Sequence, residues 1–303
     1  MFLCWFHNHG GRFIGEMGAA GRRGRSPYDD RNPAWLMSGW EIDTPSGREI
    51  EWSEPEILLY DDDPYVRISY PDLIEENGSF FITETQKNRG RVHEIPPRLL
   101  DGLFGQWEAR KAAERGLILD VPRTDPAASA PPLPVMPPLP PLNRRDGSQP
   151  DHGLLDLRAG FSLELWLELD STTAGQVLLD TRTSDGKGIL VATVAGDAIG
   201  ITLADGRQVA AWQSDPSGLV AGRPQHVVIT VDGGPKIISF VVDGRLDDGG
   251  DERQFGWGRY GSTLRTPDGA AFATLAAGVR RLRVYDRPLT TSEAVGNYRA
   301  GPE

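Results

Sequence analysis

Three short alternating runs of apolar and polar residues lie between residues 67 and 95, and turns separate them. Residues 67–73 form the first run, residues 79–85 the second and residues 90–95 the third. Asn77-Gly78, which follows the first run, is a dipeptide that two-residue hairpins favour. The pattern predicts an antiparallel sheet unit of the kind that makes up a propeller blade.

The residues before this unit repeat the pattern loosely. Runs with strand character cover residues 2–7, 34–41, 48–51 and 56–61, and clusters of Gly, Pro, Asn and Asp separate them. Such repetition is typical of a propeller or another array. A helix is predicted from Pro97, because proline is favoured in a first helical turn and apolar residues follow at helical spacing.

Prolines divide the chain. Residues 121–150 hold 10 of the 24 prolines, a composition that favours an extended polyproline spacer. A PxxP ligand for a partner domain is the functional alternative. We therefore predict an N-terminal β domain at 1–118, a Pro-rich linker at 119–151 and a C-terminal domain at 152–303.

Regular short strands follow the prolines. Residues 161–169 alternate almost throughout, and the runs at 225–231 and 236–242 flank an Asp-Gly-Gly turn. Spacing of this kind predicts a two-sheet β-sandwich. A domain of about 150 residues is large enough to bury a full core.

The N-terminal motifs resemble sialidase-like proteins of the BNR or Asp-box type. WSEP at 52–55 looks like the end of such a blade, and SYP at 69–71 with RVH at 91–93 is similar to the closing blade. The resemblance implies an all-β fold in which residues 1–118 form about the last two blades of a partial β-propeller. The missing blades would come from a longer protein, so the chain is expected to be its C-terminal part and catalytically incomplete alone.

The resemblance also implies a glycosidase in which a tyrosine attacks the anomeric carbon and arginines bind the substrate carboxylate. Tyr70 falls on the position of that catalytic nucleophile, and Arg31 on that of one substrate-binding arginine. From the residues alone, Tyr70 is also explained by cross-strand packing, and Arg31 by an ion pair with Asp29 or Asp30.

A polar turn, His7-Asn8-His9, runs into two glycines. All three residues are candidates for the lining of a substrate cleft. Two histidines do not complete a metal site, which needs at least a third ligand. No catalytic metal is therefore predicted.

The C-terminal half resembles a LamG-like domain of the concanavalin A-type jelly-roll superfamily. The motifs are FSLELWLEL at 161–169, QHVVITVDGG at 225–234, ISFVVDGR at 238–245 and VRRLRVYDRPLTTSEA at 279–294. The last of these predicts a strand followed by a short helix that carries Glu293. The resemblance implies a sandwich that binds sugars or protein surfaces.

Members of that family often bind a calcium ion in a loop. Asp247, Asp248 and Asp251 lie in a Gly-rich loop and carry the hard oxygen ligands that calcium prefers. A solvated acidic turn explains them equally, so a structural calcium is the open alternative to the prediction of no cofactor.

Aromatic residues of the sandwich are candidates for stacking on sugar rings. Trp212, Trp257 and Tyr260 are the residues considered, and a place in the core is the alternative for each.

Charge and composition narrow the class of partner. A net charge of −11 and a pI near 5.0 argue against nucleic acids and anionic membranes. The single cysteine, Cys4, excludes an intrachain disulfide. No apolar run reaches the length of about 18 residues that a membrane span needs. A glycan or acidic sugar is the partner that both resemblances imply.

Three functional hypotheses follow. The first is a sialidase-like glycoside hydrolase with an attached LamG-like glycan-binding module. The second is a noncatalytic module that binds carbohydrate or protein at a cell surface. The third is another propeller glycoside hydrolase or a polysaccharide lyase, since a fold does not determine its chemistry.

Overall fold

In its described residues, the protein is built from antiparallel sheets and two short helices. The computed structural model describes residues 1–7, 31–63, 66–86, 89–122, 132–142, 159–250 and 253–302. The all-β class predicted from the sequence is confirmed. Neither described helix is long and apolar enough to cross a membrane.

The first N-terminal sheet is organised around one long strand. Its four strands are β1 (Phe2–His7), β2 (Ala34–Thr44), β3 (Gly47–Trp52) and β4 (Glu56–Leu59). The first half of β2 pairs with β1 on one side and β4 on the other, and its second half pairs with β3. The β2–β3 pair therefore continues past the rest of the sheet as a two-stranded hairpin.

The second N-terminal sheet has three strands. They are β5 (Leu73–Glu76), β6 (Ser79–Gln86) and β7 (Arg89–Glu94). Asn77 and Gly78 join β5 to β6 with φ angles of 53° and 82°, so the predicted turn is confirmed. The described strands form sheets of four and three strands, and the predicted partial propeller is not confirmed.

A sandwich of two sheets forms the C-terminal part, as the sequence predicts. One sheet has seven strands in the order β16–β15–β14–β9–β19–β8 with β17 beside β15, and the other has five in the order β13–β12–β11–β10–β18. The strands are β8 (Leu117–Pro122), β9 (Gly160–Glu168), β10 (Val177–Asp180), β11 (Gly188–Val194), β12 (Ala198–Ala204), β13 (Val209–Gln213), β14 (Pro224–Asp232), β15 (Ile237–Val242), β16 (Arg245–Leu246), β17 (Gly258–Arg259), β18 (Thr274–Leu275) and β19 (Val279–Tyr285).

Alternate residues of the central strands fill the sandwich core. Phe161, Leu163 and Leu165 of β9 are fully buried, as are Ile199 of β12 and Val227 of β14. Since successive side chains of a strand point to opposite faces, the alternation seen in the sequence supplies one continuous apolar face. Each fully buried side chain of this size stabilises the fold by about 1.5–3 kcal/mol.

The Pro-rich segment takes part in this core. Leu133, Met136 and Leu139 pack against the core, and Leu139 donates its backbone N–H to the Arg265 carbonyl over 2.6 Å. Their spacing of three residues matches the period of a polyproline helix, which places them on one side. The interval predicted as a linker, 119–151, therefore begins inside β8, and its described residues beyond β8 cover the sandwich.

Two helices complete the described fold. Helix α1 (Pro97–Gly105) begins at the predicted proline, and helix α2 (Thr291–Ala300) follows β19. The Thr290 hydroxyl accepts from the Glu293 N–H, and the Glu293 carboxylate accepts from the Thr290 N–H. This capping box fixes the first turn of α2, and the predicted helix carrying Glu293 is confirmed.

A buried polar network lies between α2 and the seven-stranded sheet. The Glu164 carboxylate accepts from Arg283 Nη1 at 2.8 Å, Tyr285 OH at 2.9 Å and Asn297 Nδ2 at 2.6 Å, and His226 Nε2 lies 3.2 Å away. Burial opposes the charge of Glu164, but the hydrogen bonds outweigh it and hold the pKa of the carboxyl below its ordinary value. The network anchors α2 to β9, β14 and β19.

An apolar interface joins the N-terminal sheets to the sandwich. Trp35 of β2 and Ile57 of β4 pack against Ile237, Phe255 and Trp257. The two parts therefore share a core. We expect a single cooperative unfolding transition, because neither part buries all of its apolar surface alone.

One carboxylate also crosses this interface. Glu56 of β4 is 3% exposed and accepts from the Thr291 N–H at 3.0 Å and the Ser292 N–H at 2.6 Å. These amides begin α2 and have no partner within the helix. A carboxylate at this position also interacts favourably with the helix dipole. Glu56 therefore caps a helix more than 200 residues away in sequence.

Replacing Glu56 by alanine is expected to lower the free energy of unfolding by about 2 kcal/mol, because two buried amides lose a charged acceptor. Urea denaturation measures the loss, and hydrogen exchange should show faster exchange at the start of α2. Glu51→Ala, which removes an exposed carboxylate from the adjacent β3, is the control and should change stability little. Equal effects of the two substitutions would contradict the capping role.

Candidate functional site

A cleft of about 750 Å³ lies between the N-terminal sheets and α2. Its walls come from β4, the end of β7, α1, residues 109–115 and the residues from Arg287 to Gly296. Pockets that bind small molecules usually measure about 300–1,000 Å³. The cleft is therefore large enough for a sugar-sized ligand.

The inner wall of the cleft is apolar. Ile57 and Leu59 of β4, Ile82 of β6, Ile95 and Leu289 line it, and each is at least nine-tenths buried. An apolar wall beside a few polar groups is the usual composition of a ligand pocket. The wall can receive the C–H face of a ligand, and the polar groups must come from the rim.

Basic side chains from distant parts of the sequence also line the cleft. They are Arg98 of α1, Lys111, Arg115 and Arg287. Within the described part of the chain, the guanidinium groups of Arg98 and Arg115 have no hydrogen-bond or ion-pair partner, and both residues are exposed. Guanidinium groups of this kind are suited to bidentate binding of a carboxylate.

Arg287 is held in place instead. Its Nη1 and Nη2 donate to the two oxygens of Glu293 at 2.7 and 2.6 Å, and its Nε donates to the Arg115 carbonyl at 2.9 Å. Burial disfavours the charge of Glu293, but hydrogen bonds from Arg287 and Thr290 lower the pKa of its carboxyl overall. The pair supports the backbone that carries Arg115.

A buried acid–histidine pair lies at the β6–β7 side of the cleft. Glu84 Oε1 is 3.0 Å from His93 Nε2 and accepts from Arg91 Nη1 at 3.1 Å. Glu84 and His93 are 1% and 5% exposed, and His93 lines the cleft. The carboxylate fixes the orientation of the imidazole. Sequence patterns give Glu84 no partner, because only the β6–β7 register brings these side chains together.

The predicted site residues lie elsewhere. Tyr70 is 78% exposed and has a φ angle of 49°, and Arg31 Nη1 donates to the hydroxyl of the adjacent Ser69 at 3.3 Å. His7 ends β1, and its ring meets the Trp5 ring edge-on at 5.6 Å. None of Tyr70, Arg31 or His7 is among the described residues that line the cleft.

Asn8 and His9 fall outside the residues that the structure describes. In the structure Arg31 thus contacts Ser69, the residue before Tyr70 in the sequence. The roles of Tyr70 as nucleophile, and of Arg31, His7, Asn8 and His9 as substrate-binding residues, stay predictions.

The acidic loop considered for calcium is held by hydrogen bonds to Asp215. Asp247 Oδ2 accepts from the Asp215 N–H at 2.8 Å, and Asp215 Oδ2 accepts from the N–H groups of Asp248 and Gly249 at 3.1 and 2.9 Å. Asp215 also accepts from Arg253 Nη2. Asp251 is not among the described residues, and within those that are, no group of three acidic, His or Cys side chains is arranged for a metal. The absence of a cofactor stays a prediction, with a structural calcium as its open alternative.

Two of the three aromatic candidates belong to the interior. Trp257 and Tyr260 are each 5% exposed. Trp212 is half-buried, with the Arg253 guanidinium 4.9 Å from the centre of its ring. The large exposed indoles are those of Trp40 and Trp52 in the β2–β3 hairpin. Alternation of apolar and polar residues in the sequence does not distinguish the buried aromatic residues from the exposed ones, since it does not show which face of a strand is covered.

The second half of the chain matches a known protein family. Residues 144–294 match the model of a laminin G family described as the concanavalin A-like lectin/glucanases superfamily. A comparison with curated proteins finds no match.

The solved structures that this chain resembles include a module of a sialidase, a trans-sialidase and a domain of an arabinanase. The CBM40 module of Ruminococcus gnavus IT-sialidase, bound to α2,3-sialyllactose, is 15% identical with a TM-score of 0.34, over 59% of this chain and 97% of that chain. Leech intramolecular trans-sialidase, complexed with 2,7-anhydro-Neu5Ac, is 14% identical with a TM-score of 0.35, over 62% of this chain and 29% of that one. Domain 4 of a Geobacillus stearothermophilus GH43 arabinanase, in complex with arabinotriose, is 14% identical with a TM-score of 0.33, over 46% of this chain and 67% of that chain.

The family match and the seven- and five-stranded sheets together lead to one conclusion. The chain contains a LamG-like jelly-roll domain of the concanavalin A-like lectin/glucanase type.

Proposed function

We propose that the chain is a carbohydrate-binding module and that the cleft between the N-terminal sheets and α2 holds an acidic sugar. The observation that carries the proposal is the pair of guanidinium groups, Arg98 and Arg115, beside an apolar wall. Four basic side chains and three acidic ones, Glu94, Asp101 and Glu293, line the cleft. The lining is thus slightly positive in a protein of net charge −11, which favours an anionic ligand. The lectin/glucanase family of the sandwich supports a glycan as the ligand class.

The chemistry of the cleft fits a sugar that carries a carboxylate. The guanidinium groups would bind the carboxylate, and the apolar wall would take the C–H face of the ring. A neutral sugar lacks the group that Arg98 and Arg115 bind best, so binding should be weaker.

Titration calorimetry with sialic acid, glucuronic acid and glucose tests the proposal. We expect at least one of the two acidic sugars to bind and glucose to bind more weakly. Replacing both Arg98 and Arg115 by alanine is expected to raise the Kd for the acidic sugar at least tenfold, because charge-assisted hydrogen bonds are lost. Arg110→Ala removes one positive charge from an exposed residue outside the cleft lining, and should leave the Kd within about twofold.

Absence of binding for both acidic sugars, or binding unaffected by the double substitution, would contradict the cleft as the site. Circular dichroism of the double variant excludes loss of fold as the cause. Because both arginines are exposed, the double substitution should leave the fold intact.

The sialidase-like hydrolase is the second candidate. The observation that favours it is the hydrogen bond from Arg31 to Ser69, the residue before Tyr70 in the sequence. The same protein should then release the reporter from an aryl sialoside, and Tyr70→Phe should abolish that release. Binding of acidic sugars without such release favours the noncatalytic module.

A further inference from the structure

The β2–β3 hairpin exposes a cluster of large apolar side chains. Trp40, Ile42, Ile50 and Trp52 are 42%, 37%, 38% and 39% exposed. Directly opposite residues of an antiparallel pair share a face, and the register pairs Gly39 with Trp52 and Glu41 with Ile50. Trp52 and Ile50 therefore lie on one face of the hairpin, and Trp40 and Ile42 on the other.

The Trp52 indole lies over the backbone of Gly39. A Cβ atom at position 39 would be 2.8 Å from both Cε3 and Cζ3 of the indole and 2.5 Å from Ile50 Cγ2. The missing side chain at Gly39 is what lets the ring rest on the strand. One side of the indole is thus supported, and its exposed area forms a platform beside Ile50.

Polar groups border this platform on the same face. Arg48 Nη1 donates to Glu41 Oε1 at 2.7 Å, and Arg48 Nε lies 3.7 Å from Asp43. All three side chains are substantially exposed. An aromatic platform bordered by a guanidinium group and carboxylates offers both a surface for the C–H face of a pyranose and partners for its hydroxyls.

The other face of the hairpin is anchored. The Trp40 ring meets the Trp107 ring edge-on, with centroids 6.3 Å apart and an interplanar angle of 87°. Trp107 follows α1, so this contact holds the hairpin against the body of the protein. Trp40 and Trp52 therefore have similar exposure on opposite faces. Glu51 and Glu49 lie on the face of Trp40, whereas the Arg48 guanidinium lies on the face of Trp52.

We propose that Trp52, Glu41 and Arg48 form a second carbohydrate site, one that binds a neutral pyranose. Residues 40–52 carry four acidic side chains and one basic side chain, so the local charge disfavours the acidic sugars proposed for the cleft. The two sites thus differ in location and in ligand class. This second site does not depend on the cleft binding any ligand.

Titration of the full chain with cellopentaose, mannopentaose and β-1,4-galactopentaose tests the site, with tryptophan fluorescence and calorimetry as readouts. We expect at least one pentasaccharide to bind, and Trp52→Ala to weaken that binding at least tenfold. Trp52→Phe should weaken it less, since a smaller ring still stacks. Trp40→Phe, the matched change on the other face, and Arg98→Ala with Arg115→Ala should leave the Kd within twofold.

Gly39→Ala provides a second test that keeps the indole. The added methyl group must displace the Trp52 ring or Ile50, so the affinity should fall several-fold although Trp52 is present. Binding of no pentasaccharide, or equal binding by the wild-type protein and Trp52→Ala, would overturn the proposal. So would a Trp52-dependent dimer in sedimentation velocity without sugar binding, since it would make this face an interface between copies.

Discussion

Replacing Glu164 by alanine is expected to lower the free energy of unfolding by about 3–5 kcal/mol, because removal of one partner leaves a buried charge without compensation. Arg283 is 3% exposed and would lose its hydrogen bond to Glu164, as would Tyr285 and Asn297. Asp120 also accepts a hydrogen bond from Arg283, at 3.3 Å, and would compensate only part of the buried Arg283 charge. Chemical denaturation followed by circular dichroism measures the loss.

Glu168 provides the control for this prediction. It lies on the same strand, β9, but its carboxylate is 44% exposed and pairs with Arg280 at the surface. Because exposed ion pairs contribute little, Glu168→Gln should change stability only slightly. A loss for Glu164→Ala no larger than that for Glu168→Gln would contradict the role assigned to the network. Glu164→Gln, which keeps one acceptor oxygen, should fall between the two.

The same network shows where sequence patterns stop being informative. Alternation along 161–169 predicts β9 correctly, yet it places the carboxylate of Glu164 on the polar and therefore outer face of the strand. That face is covered by α2, whose Asn297 reaches Glu164 from more than 130 residues away. A period-two pattern tells the two faces of a strand apart, but a helix that covers the polar face is visible only in the tertiary structure.

The sequence correctly predicted the turn and the helix start that depend only on neighbouring residues. Asn77-Gly78 makes the predicted turn because its residues adopt positive φ angles, and Pro97 begins α1 because the first helical turn needs no N–H donor. The Pro-rich segment carried a further local signal. Leu133, Met136 and Leu139 recur every three residues, the period of a polyproline helix, and this spacing indicates a segment with one covered side.

The cleft could not be predicted in the same way. Arg98, Arg115 and Arg287 come from a helix, a loop and the residues after a strand, and their proximity depends on the docking of the N-terminal sheets against α2. The contacts that produce this docking, such as Glu56 with the first turn of α2, join residues separated by more than 200 positions. Motif resemblance instead pointed to Tyr70 and Arg31, which lie outside the cleft.

Asp247 makes the stability of the fold depend on pH in an unusual direction. Burial, followed by the nearby carboxylates of Asp215 and Asp248, raises the pKa of Asp247 from its ordinary value of 3.8 to about 7, against the lowering effects of the Asp215 N–H and Arg253. Below pH 3.8 the group is protonated in both the folded and unfolded states. Between that value and pH 7 only the unfolded state loses the proton, so the contribution of Asp247 to stability falls as the pH rises.

Asp247→Asn should therefore become more stable than the wild-type protein as the pH is raised. The free-energy difference is expected to grow between about pH 4 and pH 7 and to level off at about 2–4 kcal/mol above its value at pH 4, since each pKa unit corresponds to about 1.4 kcal/mol and some solvent reaches the group. Asparagine keeps an oxygen for the Asp215 N–H, so that hydrogen bond is retained. Urea denaturation at several pH values gives the difference directly.

Asp248→Asn is the matched substitution for this test. Its exposed carboxylate accepts from the Gly250 N–H at 2.8 Å, and asparagine can accept the same bond. The stability difference between Asp248→Asn and the wild-type protein should therefore change with pH much less than that of Asp247→Asn. A difference between Asp247→Asn and the wild-type protein that is constant from pH 4 to 8 would show that Asp247 ionises normally. Carboxyls whose pKa lies below the ordinary value, such as Glu164 and Asp120, change the stability of both proteins equally. Their contribution therefore cancels in the comparison, and the remaining pH dependence belongs to Asp247 and the carboxylates beside it.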